Sequence, residues 1–202
     1  MLSTAGPSRK YASTVLRIVS WNVARSLRTK WDAITALAPD LAILPEVSRT
    51  DIESLVPDPR HRDWFGDNDR KGLGLVAFGD YTLERDASFN AKHQFFLPAR
   101  LSGPTEFNLL AVWALNHRNR GELAGQRDAT LQAITHYQAF LGSVKLTVVA
   151  GDFNHNVIWD KPRATTANFR PVLDALEALG LVSAYHHLHN QLHGEESAHT
   201  LN

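Results

Sequence analysis

A chain of 202 residues with 21 basic and 21 acidic side chains has no net charge to draw it toward a nucleic-acid backbone or an anionic membrane, so any such binding must come from a local patch. The absence of cysteine excludes disulfides and thiolate metal sites. No apolar run approaches the roughly 18 to 20 residues of a bilayer span, and Met1 to Lys10 lacks the apolar core of a secretory signal. The expectation is one soluble, cytoplasmic domain over residues 14–202 behind a flexible N-terminus of residues 1–13.

Val15 to Trp21 runs apolar in the manner of a strand and stops at Asn22. Trp31, Ile34 and Leu37 then recur at a spacing of three until Pro39-Asp40, which predicts a short amphipathic helix from Thr29 to Leu37. Leu41 to Leu44 reads as a second strand, ending in Pro45-Glu46, and strand, helix, strand is the unit of a parallel crossover. Residues 48–71 read as loop, because Pro57, Pro59, Gly66 and the charged run Asp67 to Lys71 interrupt any period. Leu73 to Phe78 and Tyr81 to Leu83 read as strands joined by a hairpin turn at Gly79-Asp80, with Gly72 and Gly74 adding flexibility at the strand start.

Phe95 to Leu97 and Phe107 to Leu115 continue the strands, the second running into Asn116-His117. Leu131, Ile134, Tyr137 and Leu141 lie at helical spacing within 126–141, closed by Gly142. Lys145 to Ala150 is a β-branched strand, and Gly151-Asp152-Phe153-Asn154 puts polar groups at its C-terminal end, where open α/β sheets place their chemistry. Extended backbone past Gly151 would aim Asp152 and Asn154 to one side and Phe153 into the core. A helix over 167–179 has Pro171 in its first turn and stops at Gly180, and Leu181 to Tyr185 reads as a further strand.

Asp152, Asn154 and Asn156 also match the first three ligand positions of an EF-hand loop, but Val157 and Arg163 stand where that loop needs Gly and Glu. Any one of these polar residues alone could cap a turn. Asn22, Glu46, His117 and Asp152 with Asn154, each at a strand end, form a pattern.

Ser20-Trp-Asn-Val23, Leu44-Pro-Glu-Val47, Leu115-Asn-His117 and Gly151-Asp-Phe-Asn154, in this order, resemble the motifs of the endonuclease/exonuclease/phosphatase superfamily of metal-dependent phosphoesterases. The resemblance spans about residues 15–200. It implies an α/β fold, a four-layer sandwich of two mixed β-sheets face to face with helices outside. It also implies a phosphodiester hydrolase using Mg2+ or Mn2+, with Glu46 as metal ligand assisted by Asn22. In that scheme Asp152 orients or deprotonates the attacking water, Asn154 binds a phosphate oxygen or fixes the scaffold, and His117 stabilises transition-state charge.

The chemistry asks for such groups on its own account: a hard cation on oxygen ligands, a positioned water, and donors aimed at developing charge. Arg118 and Arg120 are candidates for holding a phosphate backbone. Nucleic acid is the expected substrate; a phosphatase or phospholipase of the same superfamily is the alternative, because a shared fold does not choose a substrate.

The resemblance further implies a final strand bearing an Asp-His pair that acts at the scissile phosphate. No Asp follows Asp174, so the expectation is a chain lacking its last strand or strands, with a sheet edge open to association. A member that binds metal or phosphate without turnover is then a further alternative. His186, His187, His189, His193 and His199 fit no zinc spacing with a second cluster and read as a solvated loop, with His199 the candidate substitute for the missing histidine.

Overall fold

Two apolar runs, Leu41–Val47 (β2) and Phe107–Trp113 (β7), are buried almost throughout, and alternation divides their side chains between two faces. A computed structural model, which describes residues 15–114, 129–144, 146–162 and 168–198, shows what each face meets. Leu41 and Ile43 share a central core with Leu109, Ala111 and Trp113. On the outer faces, Ala42 and Leu44 pack with Leu27, Ile34 and Ile52, while Leu110 and Val112 pack with Ile134, Tyr137 and Leu173. Two sheets therefore lie face to face with helices outside, the four-layer α/β sandwich.

The first sheet has the order β1 (Ile18–Ser20), β2, β4 (Lys71–Ala77), β3 (Arg62–Asn68), with β1 parallel to β2 and the other pairs antiparallel. Its outer face carries α1 (Leu27–Ala36) and α2 (Arg49–Leu55). The second has the order β5 (Thr82–Arg85), β6 (Phe96–Ser102), β7, β8 (Thr147–Asp152), with only β7 and β8 parallel among its pairs. It is covered by α3 (Ala129–Leu141) and α4 (Arg170–Ala178), and α5 (Ala184–His189) follows. Among the described residues no helix is long and apolar enough to cross a membrane.

The stretch 48–71 is structured rather than loop. Ser48 Oγ accepts from the Asp51 amide at 3.1 Å and starts α2. The polar run up to Asn68 is β3, an edge strand that keeps polar side chains at its solvated margin and buries Trp64, whose Nε1 donates to the Val47 carbonyl at 3.1 Å. Gly72 and Gly74 serve close packing rather than flexibility: a Cβ on Gly74 would stand 2.6 Å from Ile52 Cδ1 and 2.7 Å from Val47 Cγ1.

Gly79-Asp80 closes no hairpin, since β4 and β5 belong to different sheets; the turn, with the Tyr81 amide donating to the Phe78 carbonyl at 3.1 Å, carries the chain from one layer to the next. Residues 181–185 form no strand. Among the described residues no strand pairs with them, and Ser183 instead precedes α5. Residues 1–14 fall outside the described residues.

Gly151, at φ 144°, lies opposite Val112 in the parallel β7–β8 pair, and a Cβ there would run into the Val112 carbonyl oxygen. Gly151→Ala is expected to cost more than about 3 kcal/mol through forced opening of the ladder. Gly79→Ala, at φ 60° with nothing near its Cβ position, should cost only about 1 to 2 kcal/mol. Urea midpoints of the two variants test this, and equal losses would contradict it.

Candidate active site

Glu46 owes its position to a break in β2, whose register with β4 shifts between Pro45 and Val47. The residue adopts a left-handed φ of 61°, which costs a non-glycine residue roughly 1 to 2 kcal/mol. Hydrogen bonds on both sides hold it there: the Val23 amide donates to the Pro45 carbonyl at 3.0 Å and the Arg25 amide to the Glu46 carbonyl at 2.8 Å. Such a bulge re-aims a side chain out of the ladder. The donors come from the segment that leaves β1, so the first two sequence motifs are joined through their backbones.

Asn22 lies in that segment. Its Oδ1 accepts from the Ala24 amide at 3.0 Å, an Asx turn that leaves Nδ2 facing the other way. Nδ2 donates to Glu46 Oε1 at 3.3 Å and to Asp152 Oδ2 at 3.1 Å. The amide orientation follows chemically, because a flipped Asn22 would set its oxygen against two carboxylates.

Asp152 is the last residue of β8. Its carbonyl accepts from the Ala114 amide at 2.8 Å, and its Oδ1 accepts from the Asn154 amide at 3.1 Å. Asn154, left-handed at φ 49°, donates Nδ2 to the Ala114 carbonyl at 2.8 Å. The extended geometry that would align Asp152 with Asn154 therefore ends at Asp152. The Asn154 side-chain amide ties the ends of β7 and β8 together. Phe153 packs against the outer core, edge-on to Phe169.

Comparison with solved structures adds the decisive likeness. A 3'-5' exonuclease (NExo) from Neisseria meningitidis superposes with a TM-score of 0.62 at 18% identity, over 87% of this chain and 76% of that one. The human Nocturnin catalytic domain with bound sulfate gives 0.55 at 15% identity, over 86% and 74%. Both share this type of sandwich. The chain has the endonuclease/exonuclease/phosphatase fold. A third neighbour, D. rerio TDP2 complexed with single strand DNA product, gives 0.50 at 18% identity, over 84% and 66%. No family model and no curated protein matches the sequence.

Within the endonuclease/exonuclease/phosphatase fold, the structure adds one residue that the sequence reading missed. Lys71 Nζ lies 3.3 Å from Glu46 Oε2 and 4.8 Å from the ring centre of Trp113. It opens β4 after a two-residue connection, Asp69-Arg70, with Asn68 paired to Lys71. That turn has no Gly, so the charged run around it masks the strand. His117, Arg118, Arg120 and His199 lie outside the described residues.

Glu46 and Asp152 present carboxylate oxygens to one region, with Asn22 holding both. This hard, oxygen-only donor set fits Mg2+ or Mn2+. Asn22 meets both carboxylates through N–H, so in this arrangement it orients them. Lys71 neutralises part of their charge, and a cation bound at Glu46 would have to compete with it. Removing it should leave the cation-free site with unbalanced charge, so Lys71→Ala is expected to show a larger thermal shift on adding Mg2+ than the unaltered chain. Melting with Mg2+ and with chelator measures this; identical shifts would contradict competition at Glu46.

Proposed function

We propose that the chain is a divalent-metal-dependent phosphodiesterase acting on nucleic acid. The observation that carries this reading is the Asn22 amide joining Glu46 of one sheet to Asp152 of the other. Mg2+ or Mn2+ held by Glu46 would supply Lewis-acid polarisation of the phosphoryl group. Asp152, with Oδ1 engaged by the Asn154 amide and Oδ2 by Asn22, is oriented as the general base that takes a proton from the attacking water.

Asn22 keeps the two carboxylates at a fixed separation, and Asn154 holds the strand end that carries the base. Lys71 adds a cationic donor for a non-bridging phosphate oxygen. His117 is assigned to the charge that develops in the transition state, and Arg118 and Arg120 to flanking phosphates. Nucleic acid is favoured over lipid because one fold neighbour is an exonuclease and another carries a single strand DNA product.

The test incubates the purified chain with supercoiled plasmid, a single-stranded oligonucleotide and a chromogenic phosphomonoester, each with Mg2+, Mn2+ or chelator. Cation-dependent cleavage of the nucleic acids is expected, with Asp152→Ala slower by about 100- to 10,000-fold. Turnover of the monoester alone would move the substrate to small phosphate esters. Cation binding with no turnover on any substrate would leave a binding protein built on an enzyme fold.

A further inference from the structure

The histidine-rich tail departs from the sequence expectation of a solvated loop. The chain folds back after α5, and His186, His193 and Glu196 each bring a ligand atom within 4.8 Å of the others. All three are partly buried. They line one end of a groove of about 780 Å³ that runs along the outer edges of β1 and β8. Glu46, Asn22 and Asp152 take no part in it.

We propose that His186, His193 and Glu196 form a second cation site, selective for a zinc-like transition metal and distinct from the carboxylate pair at Glu46 and Asp152. Two imidazoles and one carboxylate are a zinc donor set, with a fourth position left to water. Tetrahedral bonds of about 2.0 to 2.1 Å separate ligand atoms by roughly 3.3 Å. Closure therefore asks for side-chain movements of about an ångström.

The surrounding contacts already set the ligand orientations. His186 Nδ1 faces Ser183 Oγ at 2.7 Å, while Nε2 lies 2.9 Å from Glu196 Oε1. In the metal-free chain Nε2–H donates to the Glu196 carboxylate and Nδ1 accepts from Ser183; on metal binding the proton would move to Nδ1 and be donated to Ser183, freeing the Nε2 lone pair for coordination. Glu196 Oε2 accepts from Asn156 Nδ2 at 3.2 Å, and Oε1 accepts from the Gly194 amide at 3.0 Å.

A simple His186–Glu196 ion pair accounts for one of these contacts but not for His193, whose ring centre stands 3.7 Å from that of His186. Two protonated imidazoles would repel at that distance.

The consequence is a clamp. Asn156 lies just beyond Asp152, so metal at this site ties the tail to the segment leaving β8. The experiment strips the chain with chelator and then titrates Zn2+, or Co2+ as a spectroscopic probe, in millimolar Mg2+ so that the oxygen-ligand site is filled. One tight zinc per chain is expected. It should be lost in His193→Ala and Glu196→Gln, weakened about 10- to 100-fold in Asn156→Ala, and retained in Glu46→Gln. Circular dichroism of zinc-free variants establishes that they fold. Absence of a tight zinc, or its survival in both ligand variants, would overturn the proposal.

Discussion

Two carboxylates from different sheets meet at a single amide, and the rest of the molecule is arranged so that they can. Both oxygens lie against Asn22 Nδ2, which places them within about 6.5 Å of each other. Two unit charges at that distance repel by roughly 2 to 3 kcal/mol at an effective dielectric of about 20, less the screening by water that reaches the partly exposed Glu46. Lys71 and Asn22 offset part of that repulsion. A divalent cation would convert the remainder into attraction. The separation is set by the packing of Leu41, Ile43 and Leu75 against Leu109, Ala111 and Trp113 in one core between the sheets, so the site is only as well defined as that core.

Local strain gathers at the same place. Ala24, Arg25, Glu46 and Asn154 are all left-handed without being glycine. The carbonyls of Pro45 and Glu46 and the side chain of Asp152 accept backbone amides from this region, which keeps the unfavourable angles in place. Gly151 makes a different contribution: its missing Cβ lets β8 approach β7 closely one residue before Asp152. By contrast, the turn at Gly79 and the end of α4 at Gly180 use glycine for positive φ and carry no such tension.

The legible part of the fold was the part decided locally or by strong alternation. Trp31 and Ile34 at helical spacing marked α1, and the apolar runs ending at Glu46 and Asp152 marked the two strands that carry the carboxylates. Their joint meaning came from order along the chain and not from any single residue. The illegible part depended on partners distant in sequence. β3 is polar because it is an edge, and only its pairing with β4 makes it a strand; residues 181–185 look like a strand but find no pairing partner among the described residues. Lys71 could not be assigned to Glu46 before the β3–β4 turn was known. His186, His193 and Glu196 fit no familiar ligand spacing because a turn after α5, not helical or strand periodicity, brings them together.

We propose that Glu46 holds a divalent cation facing Asp152, in a site assembled from two sheets. Crystals of the chain grown with Mn2+ and measured for anomalous scattering test it most directly. A manganese peak bonded to the Glu46 carboxylate and facing Asp152 is expected, with Lys71 displaced from Glu46. Manganese bound elsewhere, with Glu46 still paired to Lys71 at saturating metal, would contradict it.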